Sequence, residues 1–356
     1  MNSASLRKSV RNACAAVEIN VNRYLGRELV PRQRDTLHIE TSSFCNLKCR
    51  FCAYDKKQSP KVSMTDEFFF DCVKQALKLG YDHFELTPCT GDVFMDRNIF
   101  NKLEFLDAHP DVVAYSFFTN FTIPGPRHIE RLLRLQKLVW LNVSIYGHDL
   151  ETFIAITRST EKVYRRLLAN LAMLFERLDK KKFHLDFGFR STRNVPRRPV
   201  SDIMQMLERF EQAGVHIGRS DALYNNWGGY ITNDDVRGLA MDITGADAIY
   251  KRGACTRLFT TVQVMATGIV NGCACRDVDA TLRIGDLKER PLREILSSSN
   301  QAYMTLIDEQ QRDEFRPVCK SCDFYKSIYH SRSIHRKHGS PLQSIDEFKA
   351  RLDATR

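Results

Sequence analysis

Eleven cysteines stand in this 356-residue sequence, and seven of them gather into two groups. The first group is Cys45-Asn-Leu-Lys-Cys49-Arg-Phe-Cys52, with three residues between the first pair of cysteines and two between the next. Three thiolates on one tight loop can hold three corners of a [4Fe–4S] cluster. No fourth cysteine is near in sequence, so one iron would stay open to a ligand from outside the protein. A zinc site and three buried thiols are the competing readings. Structural zinc normally takes four protein ligands, with cysteines in pairs, and buried thiols need no particular spacing.

The second group is Cys255, Cys273, Cys319 and Cys322. Four thiolates can bind a [4Fe–4S] cluster with no open iron. Cysteine pairs on knuckles also build zinc ribbons, so zinc is the alternative here. Cys275 could replace Cys273 as a ligand. Cys14, Cys72 and Cys89 have no partner at useful spacing and read as packing or spare thiols.

The elements that must position these groups alternate along the first part of the chain. Strands are expected at 37–41, 83–87, 112–119, 138–145, 184–190 and from 215. Helices are expected at 65–79, 96–108, 126–136, 160–179 and 200–213. Six βα units with largely apolar strands imply an α/β fold with a parallel sheet covered by helices. A partial (β/α)6 barrel and a doubly wound sheet both fit, and in either the loops after the strands carry the chemistry. The first cysteine group lies in the first such loop. The pattern then breaks. Residues 221–254, with Asn225-Asn-Trp-Gly-Gly229, read as a linker, and 258–266 with 269–274 as a β-hairpin turning at Gly268. The expected organisation is an N-terminal helical extension at 1–36, the sheet domain at 37–220, a small α+β domain at 255–325 and a basic tail at 326–356.

Composition narrows the functional classes. Lys and Arg number 53 against 43 Asp and Glu, a net charge of +10, which allows an anionic partner without establishing one. No apolar run is long enough to span a membrane. No adequate signal-peptide core is visible, and residues 1–17 read as an amphipathic helix although they faintly resemble a transit peptide. Clustered cysteines without a secretion signal point to metal ligation in the cytoplasm.

With Phe51 just before its last cysteine, the triplet resembles the signature of the radical SAM superfamily. That resemblance implies an open iron chelated by S-adenosylmethionine, whose reductive cleavage yields a 5′-deoxyadenosyl radical that abstracts hydrogen. Thr90-Gly91-Asp92 stands where the family has a Gly-Gly-Glu-Pro-like stretch, departing from it at three positions. Thr119-Asn120 resembles a Thr-Asn-Gly stretch, with Phe121 in place of the glycine. Ser144-Ile-Tyr-Gly147 resembles a stretch whose serine faces the ribose, and Arg158 lies where relatives often bind the SAM carboxylate. The cofactor contacts implied are Phe51, Gly91, Asp92, Asn120, Ser144 and Arg158. The second cysteine group, with its hairpin, resembles the twitch form of the SPASM domain and implies one auxiliary [4Fe–4S] cluster.

Relatives of this type include aminocyclitol dehydrogenases and peptide maturases, while other superfamily members modify RNA. An extra peptide-binding domain does not fit within residues 1–36. The expectation is therefore a small polar substrate such as a cyclitol, sugar or nucleotide-linked sugar, undergoing dehydrogenation or epimerisation. A peptide maturase, an RNA-modifying enzyme and a zinc-bearing binding protein are the alternatives. Nucleic acid is allowed by the charge but not favoured, since no accessory RNA-binding motif is readable. The resemblance also implies a one-electron donor such as flavodoxin or ferredoxin. Dehydrogenation needs a base, for which Tyr146, Arg190, Asp221 and Tyr224 are candidates by position.

Overall fold

The computed structural model describes residues 3–32, 36–87, 89–331 and 341–354. Six strands run parallel in sequence order: β1 (Thr36–Ile39), β2 (His83–Glu85), β3 (Ala114–Thr119), β4 (Leu138–Tyr146), β5 (His184–Arg190) and β6 (His216–Arg219). Helices cross between them: α2 (Asp66–Lys78), α3 (Ile99–Ala108), α4 (Pro126–Leu132), α5 (Leu150–Thr157), α6 (Glu161–Glu176) and α7 (Asp202–Gln212), preceded by α1 (Ser3–Tyr24). Local chemistry sets the ends. The Thr65 hydroxyl accepts from the Phe68 N–H, Asp66 and Glu67 fill the first turn of α2, and Phe69, Cys72, Val73 and Ala76 form its buried stripe.

Alternation along the strands sorts the two faces of the sheet. Leu37, Ile39, Phe84, Phe117, Leu141, Val143, Leu185 and Phe187 enter the core beneath the helices. Their neighbours on the concave face are His38, Glu85, Ser116, Asn142, Ser144, Asp186 and Arg190. This inner face is therefore polar, although the strands read as nearly continuous apolar runs.

Three further strands extend the same sheet: β7 (Gln263–Val264), β8 (Ile269–Asn271) and β9 (Arg283–Asp286), giving the order β9-β8-β7-β1-β2-β3-β4-β5-β6. β7 lies parallel to β1, with Gln263 opposite His38, and β8 pairs antiparallel with both β7 and β9. The expected hairpin thus forms, turning at Gly268 with φ +100°, and it joins the open edge of the barrel sheet. Its expected first residues, 258–260, are helical instead (Arg257–Thr260). β9 was not expected.

The segment read as a basic tail is integrated at its far end. Leu342–Gln343 pairs antiparallel with Val30–Pro31. The helix α9 (Ile345–Ala354), which follows α8 (Gln301–Gln311), buries Phe348 with its ring 4.9 Å from that of Phe259. Arg332, Arg336, Lys337, His335 and His338, which make that segment read as basic, lie outside the described residues. Among the described residues no helix is long and apolar enough to cross a membrane.

Candidate active site

The cysteine loop leaves β1 and docks on the end of α5. The Lys48 and Arg50 N–H groups donate to the Thr157 and Ile156 carbonyls at 3.0 and 2.9 Å, which are among the carbonyls a helix C-terminus leaves unpaired. The Ser43 hydroxyl closes the base of the loop, accepting from the Val62 N–H at 2.7 Å and donating to the Val62 carbonyl at 3.0 Å. Phe51 stacks on Tyr224 at 4.8 Å and tilts against Tyr146 at 5.6 Å. The Trp227 indole N–H donates to the Phe51 carbonyl at 2.8 Å.

Cys49 is buried, and Cys45 and Cys52 are partly so. Burial pushes the Cys45 thiol up to about 12 and the Cys52 thiol up to about 11. The Cys49 thiol is likewise held well above its ordinary value, by burial and then by the charges of Cys52 and Cys45. Backbone N–H groups two residues on, at Leu47 and Tyr54, point at the sulfurs of Cys45 and Cys52. Three neighbouring thiols that repel one another as anions, with backbone donors on their sulfurs, suit a cationic iron centre and fit the cluster the triplet resembles.

The loop after β2 packs against this one. Gly91 has φ +113°, and a Cβ there would stand 2.6 Å from the Ser42 carbonyl oxygen, while the Asp92 N–H donates to the Phe44 carbonyl at 2.8 Å. The Asp92 carboxylate accepts from Asn120 N–H at 2.7 Å, from Phe94 N–H and the Thr119 hydroxyl at 3.0 Å each. It therefore ties the loops after β2 and β3 together, and burial holds its carboxyl at about 6. The Asn120 amide donates to Asn46 at 3.0 Å and faces the Cys45 sulfur at 3.8 Å. Phe121 takes a left-handed φ of +56°, the conformation for which glycine is the usual choice. Gly91→Ala is expected to displace the cysteine loop, costing about 1–3 kcal/mol and weakening S-adenosylmethionine binding about tenfold. Equilibrium dialysis on the iron-loaded protein checks this.

The other predicted residues divide. Arg190 reaches across Gly188 to donate to the Ser144 hydroxyl at 3.1 Å, and its charge is felt by Cys49, Cys52 and Tyr146. Arg158 instead caps α5 in a left-handed turn (φ +52°), half-exposed, paired with Asp55 at 2.9 Å. The structure does not support any of the four base candidates. A guanidinium stays protonated. Burial raises the hydroxyls of Tyr146 and Tyr224 above their ordinary range, and the Tyr224 hydroxyl is spent on the Ser191 carbonyl at 2.6 Å. Asp221 is exposed and accepts from the Leu223 N–H within its own turn.

Sequence reasoning missed the polar floor of the concave face. Gln263, His38, Glu85 and Ser116 stand in register on four adjacent strands. The Ser116 hydroxyl donates to Glu85 at 2.8 Å, while Glu85 Oε1, Asn142 Oδ1 and Gln263 Nε2 are buried without partners. The alternating polar residues in 83–87 and 138–145 were the available signal. Burial pushes the Glu85 carboxyl up to about 8 and the His38 imidazole down to about 4, so both are neutral at pH 7. A carboxyl raised by folding favours the native state most below its unfolded value, near 4.5, and that contribution is lost as pH rises toward 8. Wild-type melting temperature is expected to fall more between pH 5.5 and pH 8.5 than that of Glu85→Gln, measured side by side.

The second cysteine group closes around one cavity lined by Cys255, Cys273, Cys275, Cys319 and Cys322. Backbone N–H groups two residues on approach the sulfurs of Cys273 and Cys322 at 3.4 and 3.3 Å, and Lys326 N–H approaches Cys255 at 3.5 Å. Buried Gln310 bridges the set, accepting from Cys255 N–H at 2.8 Å and donating to the Cys319 sulfur at 3.2 Å. Cys275 receives a guanidinium, from Arg276 at 3.5 Å, and no backbone donor. Four thiols with aligned N–H donors fit an iron–sulfur cluster. The expected linker joins the two sites. Asn226 donates to the Ser321 carbonyl at 2.8 Å, and Gly228, with φ +67°, leaves no room for a Cβ beside Val318.

Comparison with known proteins agrees with this geometry. Residues 39–240 match the model of the radical SAM superfamily, and residues 255–323 match SPASM, an iron-sulfur cluster-binding domain. No curated protein matches the chain. Among solved structures, BtrN in complex with AdoMet and 2-DOIA is similar with a TM-score of 0.54 at 14% identity, over 84% of this chain and 96% of BtrN. Streptococcus suis SuiB bound to precursor peptide SuiA is similar with a TM-score of 0.53 at 13% identity, over 85% and 76%. anSMEcpe with bound AdoMet gives a TM-score of 0.51 at 17% identity, over 90% and 96%. At these identities the likeness concerns the fold. Its cofactors are a [4Fe–4S] cluster, S-adenosylmethionine and auxiliary iron–sulfur chemistry, and the chain belongs to the radical SAM superfamily, with a C-terminal SPASM-type domain.

Proposed function

We propose that this chain abstracts hydrogen from a small, neutral, hydroxyl-bearing molecule and oxidises it. The observation that carries the reading is the polar floor of the concave face, where Glu85, Asn142 and Gln263 keep buried polar atoms unpartnered. Such atoms call for a polar ligand or ordered water, and a floor that is neutral at pH 7 favours hydroxyls over charged groups. Cys45, Cys49 and Cys52 would hold the first cluster. Gly91, Asn120 and Ser144 would line the S-adenosylmethionine site, and Arg190, not Arg158, would face its carboxylate, since Arg190 alone of the two lies beside the cysteines. Cys255, Cys273, Cys319 and Cys322 would hold the second cluster. The first cluster with S-adenosylmethionine supplies a carbon radical that takes hydrogen, and the second supplies an electron acceptor.

The protein's own groups then orient the substrate and move its proton. Glu85, protonated at pH 7, orients a substrate hydroxyl and relays its proton. As the substrate loses its electron to the acceptor, the carboxyl takes the hydroxyl proton on one oxygen and releases its own from the other to solvent. The enclosing Phe51, Tyr146 and Tyr224 rings keep water from the cysteine loop. The test is deoxyadenosine formation on protein reconstituted without oxygen and given a chemical reductant. Stimulation by cyclitols or sugars supports the reading. Stimulation by peptides or RNA alone overturns it.

A further inference from the structure

Between the two cysteine sites lies an enclosed cation. The Arg276 side chain is 15% exposed and Asp323 beside it 4%. Its Nη1 donates to the Cys275 carbonyl at 2.7 Å and stands 3.5 Å from the Cys275 sulfur. The guanidinium faces the Phe324 ring at 4.7 Å and the Trp227 ring at 5.5 Å, both within cation–π range. Trp227 is the residue that donates to the Phe51 carbonyl in the first cysteine loop, and Phe324 N–H donates to the Cys322 sulfur. The cation is thus clamped by two rings, each bonded to one of the cluster loops. Arg257, which lines the auxiliary cavity, faces the same Phe324 ring at 5.1 Å.

The counter-charge is imperfect. Arg276 Nε and Asp323 Oδ1 stand 3.7 Å apart, and each is a buried atom without a hydrogen bond. Asp323 also accepts from the Asn226 N–H at 3.0 Å, so its charge is shared. A guanidinium held rigid in low dielectric acts strongly on nearby anions. Reduction of an iron–sulfur cluster adds one negative charge, which a fixed neighbouring cation stabilises.

We propose that Arg276 is a positioning residue whose fixed positive charge raises the reduction potential of the auxiliary cluster, making it a better acceptor for the substrate's electron, with Asp323 tempering the effect. This rests on the reading that Cys255, Cys273, Cys319 and Cys322 hold a cluster. The reading and the inference fail differently.

The experiment is a redox titration followed by electron paramagnetic resonance, without substrate. It uses the full chain reconstituted in a Cys45→Ala, Cys49→Ala, Cys52→Ala background, so that one cluster titrates. Arg276→Gln is expected to lower the potential, Arg276→Lys to leave it close to that of the parent, and Asp323→Asn to raise it. An unchanged potential in Arg276→Gln with its iron retained overturns the inference alone. So does an equal fall in Arg276→Gln and Arg276→Lys, which makes packing the cause. If Arg276→Gln cannot hold its cluster, Asp323→Asn decides, and no rise there overturns the inference. Failure of the parent background to bind iron overturns the cluster reading and the inference with it.

Discussion

Cys49→Ser is expected to abolish deoxyadenosine formation and to cut iron from about eight atoms per chain to about four. Cys49 is the most enclosed of the triplet, and its sulfur lies within the fields of both Cys45 and Cys52. A serine hydroxyl in the same place stays protonated and ligates iron poorly, leaving two thiolates for a centre that needs three. The remaining iron belongs to the auxiliary site, whose cysteines sit on other elements around their own cavity. Iron analysis and product chromatography on the same preparation check both halves. Deoxyadenosine at the wild-type rate, or retention of all the iron, would exclude Cys49 as a ligand and with it the triplet as the cluster site.

Lys102→Met is expected to destabilise the fold by about 3–5 kcal/mol, the cost typical of removing one partner from a buried ion pair. Lys102 is fully buried on α3, and its ammonium meets Asp66 at 2.8 Å and Asp96 at 2.6 Å. Asp66 opens α2, and Asp96 closes the short turn that follows Gly91 and Asp92, also accepting from the Asn98 N–H at 2.9 Å. One cation therefore joins two helices to the loop that packs on the first cysteine site. Methionine fills a similar volume but leaves Asp96 a buried, uncompensated carboxylate. Urea unfolding of the single variant and of Lys102→Met with Asp96→Asn measures the coupling. The double variant is expected to recover part of the loss, because it removes the stranded charge. A loss under about 1 kcal/mol in the single variant would contradict the argument.

These two predictions differ in how far the sequence revealed them. The triplet is visible because its residues share one loop, so that spacing alone constrains which chemistry they can do. The order of the six strands and of five helices was visible for the same local reason, and so was the turn at Gly268, but the short helix α5 was not expected. Lys102 was invisible. A lysine inside an amphipathic helix reads as a solvated side chain, and only the approach of Asp66 and Asp96 from separate elements makes its burial possible. Phe121 shows the reverse case. It seemed to break a pattern calling for glycine, yet the chain keeps the left-handed backbone there, with the ring buried completely.

The sequence by itself determined the six parallel strands, the two cysteine groups and the loop that carries the first of them. Each follows from periodicity, capping or spacing over a few residues. The tertiary structure decided that the Arg190 charge reaches Cys49 and Cys52 while Arg158 pairs with Asp55, and it decided which polar residues form the floor. It also decided that the second cysteine domain continues the barrel sheet instead of hanging from a linker. Those outcomes depend on strand register and on contacts such as Gln263 with His38 and Trp227 with Phe51, between residues far apart along the chain. Side-chain type and local spacing say which face of a strand is apolar, not which residue of a distant strand it will stand beside. The register emerges only when the strands pair and one face of each is driven into the core.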